Sequence, residues 1–206
     1  SAVSALISII NDPNAGTRKQ IAWALGQIED ASAVPALNRM VRDDKDSEAR
    51  QQAAWALGQI EEESAVPALS AALKDANAQV RTQAAWALGQ IEAHPVAPAL
   101  LEALKDSDKN VRATAAWAIG QIEDPAAAPA LRAAVKDSDP SVRQAVLHAL
   151  VELGDQMGYE ALADMLKDPD PEVRRAAAAA MGGGHSNPDP RPQPRPQPRP
   201  RPQPIR

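Results

Sequence analysis

The chain contains no cysteine and no phenylalanine, and only one tyrosine. Without cysteine there is no disulfide framework, no thiol nucleophile and no cysteine metal site. Aromatic residues make up 2% of the sequence, so no large aromatic-centred core is expected. No apolar run approaches the length that spans a bilayer, and no signal-peptide pattern heads the sequence. The chain therefore reads as soluble, with cytoplasm and periplasm both allowed. Its opening, Ser1-Ala2-Val3, reads as a mature or excised end. Gly-rich phosphate loops, G-x-S-x-G and triad patterns are also missing. His94, His148 and His185 lack metal-ligand spacing, and His148 with Glu152 reads as a helical surface or packing pair. No cofactor, metal site or catalytic residue is expected, and the chain reads as a non-enzyme.

What is present is unevenly placed. Nine of the 19 prolines fall within residues 188–206. The formal net charge of -5 is a sum of unlike parts. Residues 191–206 carry five Arg and no acid, whereas residues 1–190 carry 17 basic and 27 acidic residues. An acidic body disfavours nonspecific binding to nucleic acid or anionic membrane.

The body repeats one phrase. Trp23, Trp55, Trp86 and Trp117 stand 32, 31 and 31 residues apart, in IAWALGQIED, AAWALGQIEE, AAWALGQIEA and AAWAIGQIED. A second phrase follows each: AVPALNRMV, AVPALSAAL, VAPALLEAL and AAPALRAAV. The chain opens on a copy of it, AVSALISII. Val80, Ala84, Ala87, Leu88 and Ile91 recur at helical spacing, as do Val96, Leu100 and Leu104. Each unit thus reads as helix, turn, helix, turn, with Pro near the start of the second helix, where its missing N–H is least harmful. Short helix pairs cannot bury an apolar face alone, but a stack of them can. The expected fold is all-α, a right-handed α-solenoid of antiparallel helix pairs with about 31 residues per repeat. An opening half unit precedes five full pairs, and a last first helix runs to about residue 182. The solenoid domain covers 1–183, and a Pro/Arg/Gln-rich tail or linker covers 184–206.

Two ladders run through the units. Arg18, Arg50, Arg81, Arg112, Arg143 and Arg174 recur at the turns, preceded by Asp12, Asp46, Asp75, Asp108, Asp139 and Asp170. An Arg fork can join an aspartate of its own or of the adjacent turn, so this ladder reads as structural and sets repeat register. The second ladder is Gln20-Trp23-Gln27, Gln52-Trp55-Gln59, Gln83-Trp86-Gln90 and Thr114-Trp117-Gln121. Trp86 lies six residues after Val80, hence about 120° from the core-facing stripe. One reading packs each indole against the first helix of the next unit. The other makes Gln20, Trp23, Gln27, Gln52, Trp55, Gln59, Gln83, Trp86, Gln90, Trp117 and Gln121 a peptide-binding stripe, since indoles anchor interfaces and amides can bond an extended backbone.

The phrase D-x-x-V-R-x-x-A-A-x-A-L-G-x-I followed by A-V-P-A-L resembles HEAT repeats, most nearly the short bacterial type called phycobiliprotein-lyase HEAT-like repeats. Val80, Arg81, Ala84, Ala85, Leu88, Gly89, Ile91 and Pro98-Ala99-Leu100 carry the resemblance. It implies an α-solenoid with first helices on the convex side and second helices on the concave side. Members of that family include bilin-attachment factors, scaffolds and regulatory domains fused to enzymes, so the resemblance does not fix a function. The fifth unit departs from the pattern: His148 replaces Trp, Val151 replaces Gly, and Gln156-Met157-Gly158-Tyr159 replaces the usual turn and Pro. Looser packing is expected there.

In the tail, Pro occupies every second position from 188 to 204, which favours polyproline II. These observations lead to a protein- or peptide-binding scaffold whose partner is a protein or extended, Pro-rich peptide, with its own residues 188–204 as one candidate for self-association. The alternative is a regulatory or accessory domain of a larger enzyme, such as a lyase-like chaperone or the sensor part of a membrane peptidase. A nucleic-acid partner is disfavoured by the acidic body and by acids beside each Arg.

Overall fold

The computed structural model describes residues 1–154 and 156–182, so the tail expected at 184–206 lies outside the described residues. These residues form twelve α-helices and no strand. The first helices of the units are α2 (Ala15–Ile28), α4 (Ser47–Ile60), α6 (Ala78–Ile91), α8 (Lys109–Ile122), α10 (Pro140–Glu152) and α12 (Pro171–Met181). The second helices are α1 (Ala2–Ser8), α3 (Val34–Asp43), α5 (Val66–Ala72), α7 (Pro98–Ala103), α9 (Ala128–Ala134) and α11 (Gln156–Met165). Each first helix packs on the next first helix, and each second helix supports them from one side. The result is an α-solenoid.

Local chemistry sets the boundaries. The first helices α2, α4, α6, α8, α10 and α12 are capped by Asn14, Asp46, Asn77, Asp108, Asp139 and Asp170, whose side chains accept backbone N–H groups of the first turn. Four first helices end on a glutamate in left-handed conformation, with φ of 56° at Glu29, 57° at Glu61, 50° at Glu92 and 53° at Glu123. The fifth uses Gly154 at the same register, with φ of 62°. The second helices α3, α5, α7 and α9 carry Pro within their first two positions. Gln156 to Tyr159, read from sequence as replacing a turn, begin helix α11.

The core takes one large side chain from nearly every layer: Leu25, Leu37, Leu57, Leu69, Leu100, Ile119, Leu131 and Leu150 are fully buried. Each stabilises the fold by about 2 kcal/mol relative to exposure. One continuous cluster runs from Val3 to Leu150. Leu147, Leu162, Met165, Val173 and Ala177 form a separate, smaller cluster under the last helices.

Candidate binding surface

The arginine ladder joins neighbouring units, and its acids differ from those expected. Arg50 Nε and Nη2 donate to Asp75 Oδ2 and Oδ1 at 2.7 and 2.9 Å. The same fork joins Arg18 to Asp44, Arg81 to Asp106, Arg112 to Asp137 and Arg143 to Asp168. Nη1 of each Arg reaches back to a carbonyl of its own turn, as Arg81 does to Asp75 at 2.8 Å. Each accepting aspartate also takes the N–H two residues on, as Asp106 does from Asp108 at 2.8 Å. Every rung therefore ties one interunit turn to the next. Of the expected acids, Asp75 accepts a fork, but from Arg50 of the preceding unit. Asp46, Asp108, Asp139 and Asp170 are helix caps instead. The cap must sit beside the first N–H groups of its helix, which turns its carboxylate away from the fork of the preceding unit. At the two ends the rung is incomplete. Among the described residues Arg174 donates only to the carbonyls of Asp168 and Pro169, and Asp12 accepts only the Asn14 N–H on its carboxylate.

These contacts move the charges. Burial pushes Asp44, Asp75, Asp106 and Asp137 up, but the Arg fork and the turn N–H outweigh it and hold all four below the ordinary carboxylate value. At Asp168 the Arg143 fork dominates and lowers it too. The matching arginines are raised, chiefly by the same hydrogen bonds.

The indoles pack backwards along the chain, against the preceding unit rather than the next. A Cβ built on Gly58 would lie 2.6 Å from Trp86 Cζ3 and 2.9 Å from Ala87 Cα. Gly26 meets Trp55 and Ala56 in the same way, and Gly89 meets Trp117 and Ala118. Gly is required at these positions because helix backbones approach there and an indole lies across the gap. Gly120 meets Ala149 only, since His148 stands where the indole would be. Trp86 and Trp117 are consequently 7% and 6% exposed, and Trp55 is half-buried. Trp23 has no earlier first helix in this chain to cover and is 42% exposed. The expected stripe is thus an open surface at its N-terminal end and a packed seam in the middle. Its amides follow suit. Gln20 and Gln27 are exposed, and Gln52, Gln59, Gln90 and Gln121 are half-buried. Gln83 is buried, with Nε2 unpartnered.

A surface that the sequence reading did not single out borders this stripe. Two residues beyond Gln27, Gln59, Gln90 and Gln121 lie Glu29, Glu61, Glu92 and Glu123, all exposed. Asp30, Glu62, Glu63 and Asp124 adjoin them, and no Lys or Arg lies in 29–33, 61–65, 92–97 or 123–127. Because these turns occupy one register, the acids form a row along one edge of the solenoid. The signal in the sequence was the recurring acid after the Gly-Gln-Ile of each first phrase. A shallow groove between α5 and α7, lined by Leu73, Pro98, Ala99 and Ala103, is open and mostly apolar. His148 Nδ1 lies 3.6 Å from Glu152 Oε1. Among the described residues no three His, Asp or Glu side chains are grouped to hold a metal ion, and no helix is long and apolar enough to cross a membrane.

The family of HEAT repeats matches residues 1–58, 42–105 and 97–182. The chain belongs to the HEAT-repeat family. No curated protein matches this HEAT-repeat chain in sequence. Among solved structures it is similar to the complex of CpcE and CpcF of phycocyanin lyase from Nostoc sp. PCC7120, at 25% identity and a TM-score of 0.67, covering 88% of this chain and 76% of that one. It is also similar to YibA of Escherichia coli, at 28% identity and a TM-score of 0.64, covering 86% of this chain and 69% of that one. A designed armadillo repeat protein in complex with a (KR)4 peptide shares the fold at 20% identity and a TM-score of 0.61, covering 89% of this chain and 100% of that one.

Proposed function

We propose that this chain is a non-catalytic scaffold that binds a protein or extended peptide, and that the preferred ligand is basic and Pro-rich. The observation that carries this reading is the row of glutamates in left-handed conformation. Such a conformation disfavours a residue with a side chain by about 1 kcal/mol, and Gly154 fills the same position in the fifth unit without that penalty. Retaining Glu at four exposed turns therefore favours a use for the charge. Forked contacts from a ligand Arg suit such carboxylates, and the neighbouring Gln27, Gln59, Gln90 and Gln121 can bond an extended backbone that makes no internal hydrogen bonds. Trp23 and the partly open Trp55 supply the aromatic surface on which Pro packs. The Pro/Arg tail of the chain itself has this chemistry, with Arg191, Arg195 and Arg199 four residues apart.

The test is anisotropy of a labelled peptide with the sequence of residues 188–206, titrated with the full chain. The reading expects saturable binding that weakens with salt. The pair Glu61→Lys and Glu92→Lys should weaken it about tenfold. No binding, or binding indifferent to those substitutions, would sink it. A second reading, an accessory domain of a larger enzyme, is favoured by the likeness to the CpcE and CpcF complex. A bilin absorbance shift on mixing with the full chain would support that reading instead.

A further inference from the structure

The acidic row lies at the turn that enters each second helix, and the far end of the same helices has the opposite charge. Counted from the proline that opens α3, α5, α7 and α9, the seventh residue on is Arg42, Lys74, Lys105 or Lys136. All four are exposed. Their shared register places them in a row, one cation per unit. Each of these helices has a second helix before and after it in the array, so the fold itself leaves the row open.

Little in the chain neutralises this row. Lys105 comes 3.8 Å from Glu102 and Arg42 3.9 Å from Asp43, with more than half of each side chain in solvent. Lys74 and Lys136 have no ion pair or hydrogen bond from their side chains among the described residues. Across residues 34–43, 66–74, 98–105 and 128–136, six Lys or Arg stand against two acids, a reversal of the acidic balance of the body. The helix dipole favours a cation at a C-terminus. The first helices α2, α4, α6 and α8, however, have no cation in the last turn and end on exposed glutamates. Helix-end charge alone therefore does not account for the row. Beside Lys74 runs the groove between α5 and α7, about 300 Å³, with Leu73, Pro98, Ala99 and Ala103 as its apolar lining.

We infer that this face binds an acidic, partly apolar protein segment in extended conformation, with carboxylates on the cation row and an apolar side chain in the groove. This goes beyond the basic-peptide reading, since the face, the sign of charge and the residues all differ. Neighbouring helices stand about 10 Å apart. Polyproline II brings every third residue back to one face after about 9 Å. An acid at every third position thus meets successive cations and leaves the residues between for the groove. The dense phosphates of a duplex suit the row less, because Asp75, Asp106 and Asp137 follow its lysines and Glu102 lines the groove.

The test is anisotropy of a labelled peptide of four Glu-Pro-Leu repeats, titrated with the full chain. Saturable binding is expected. Lys74→Glu, Lys105→Glu and Lys136→Glu together should weaken it about tenfold, and Glu102→Lys should tighten it about threefold. Serine in place of the peptide's leucines should weaken it, because the groove loses its apolar side chain. Glu61→Gln with Glu92→Gln should leave it within about twofold, which separates this face from the acidic row. Circular dichroism checks that each variant is folded. No binding overturns the inference. So does binding that the triple variant retains, which would place the peptide elsewhere, as on the Arg-rich tail. A labelled DNA duplex that binds more tightly and loses affinity in the same triple variant would assign the row to phosphates, and would overturn it as well.

Discussion

The interior units and the fifth unit share a backbone plan but not a seam. From α2 to α6 each first helix receives an indole over its glycine and a fork over its turn. In the fifth unit the fork persists, as Arg143 on Asp168, but His148 replaces the indole and Val151 replaces the glycine. The hydrophobic core divides close to this point into a long cluster and a short one. The two devices are therefore separable. The fork holds turn to turn and so sets register, while the indole and glycine set how closely first helices approach.

Removing a buried indole should separate the regions most. Trp86→Ala should destabilise by about 3 kcal/mol in urea unfolding, since it opens a cavity against Gly58, whereas Trp23→Ala should lower stability by less than about 1 kcal/mol. Equal losses would break the comparison. The fork comes next. Asp106→Ala strands the partly buried Arg81 guanidinium and should destabilise by about 2 kcal/mol, whereas Asp12→Ala, which faces no fork, should remove only the turn contact, about 0.5 kcal/mol.

The forks also give a pH signature. Their aspartates have folded values below the unfolded one, so their stabilisation is complete above the unfolded carboxylate value of about 3.9 and is lost as pH falls through the lower folded values. Stability measured down to acid pH should fall steeply below that value. Asp106→Asn should flatten the fall, and a flat wild-type profile would contradict the forks' contribution. A gain is expected from Glu61→Gly, which relieves left-handed strain by up to about 1 kcal/mol, measured as a raised urea midpoint. Gly154 already has that benefit, which sharpens the contrast with the fifth unit.

The helix pairs, their period and the weak fifth unit are legible in the sequence, because Trp55, Trp86 and Trp117 recur in one phrase and His148 breaks it. The pairing of the arginines is less so. In Asp106-Ser107-Asp108 either acid can cap or accept a fork, and the direction of the turn decides. The clue lies in Asp75-Ala76-Asn77 and Asp12-Pro13-Asn14, where asparagine takes the cap and leaves one acid for the ion pair. Trp burial was not legible for a different reason. Trp23 and Trp86 stand in almost the same phrase, but only Trp86 has a first helix before it to cover. The acidic row needs the turns aligned in space before its charges add.

The central claim is that indole-over-glycine seams lock adjacent units. The most direct measurement is amide hydrogen exchange, resolved by helix, on the wild type and on His148→Trp at a concentration where both are monomeric. The account predicts slowest exchange in α4, α6 and α8, faster exchange in α10 and α12, and a slowing of α10 in the variant as the new indole covers Gly120. Equal protection in α12 and α6, or no change in α10 of a folded variant, would contradict it.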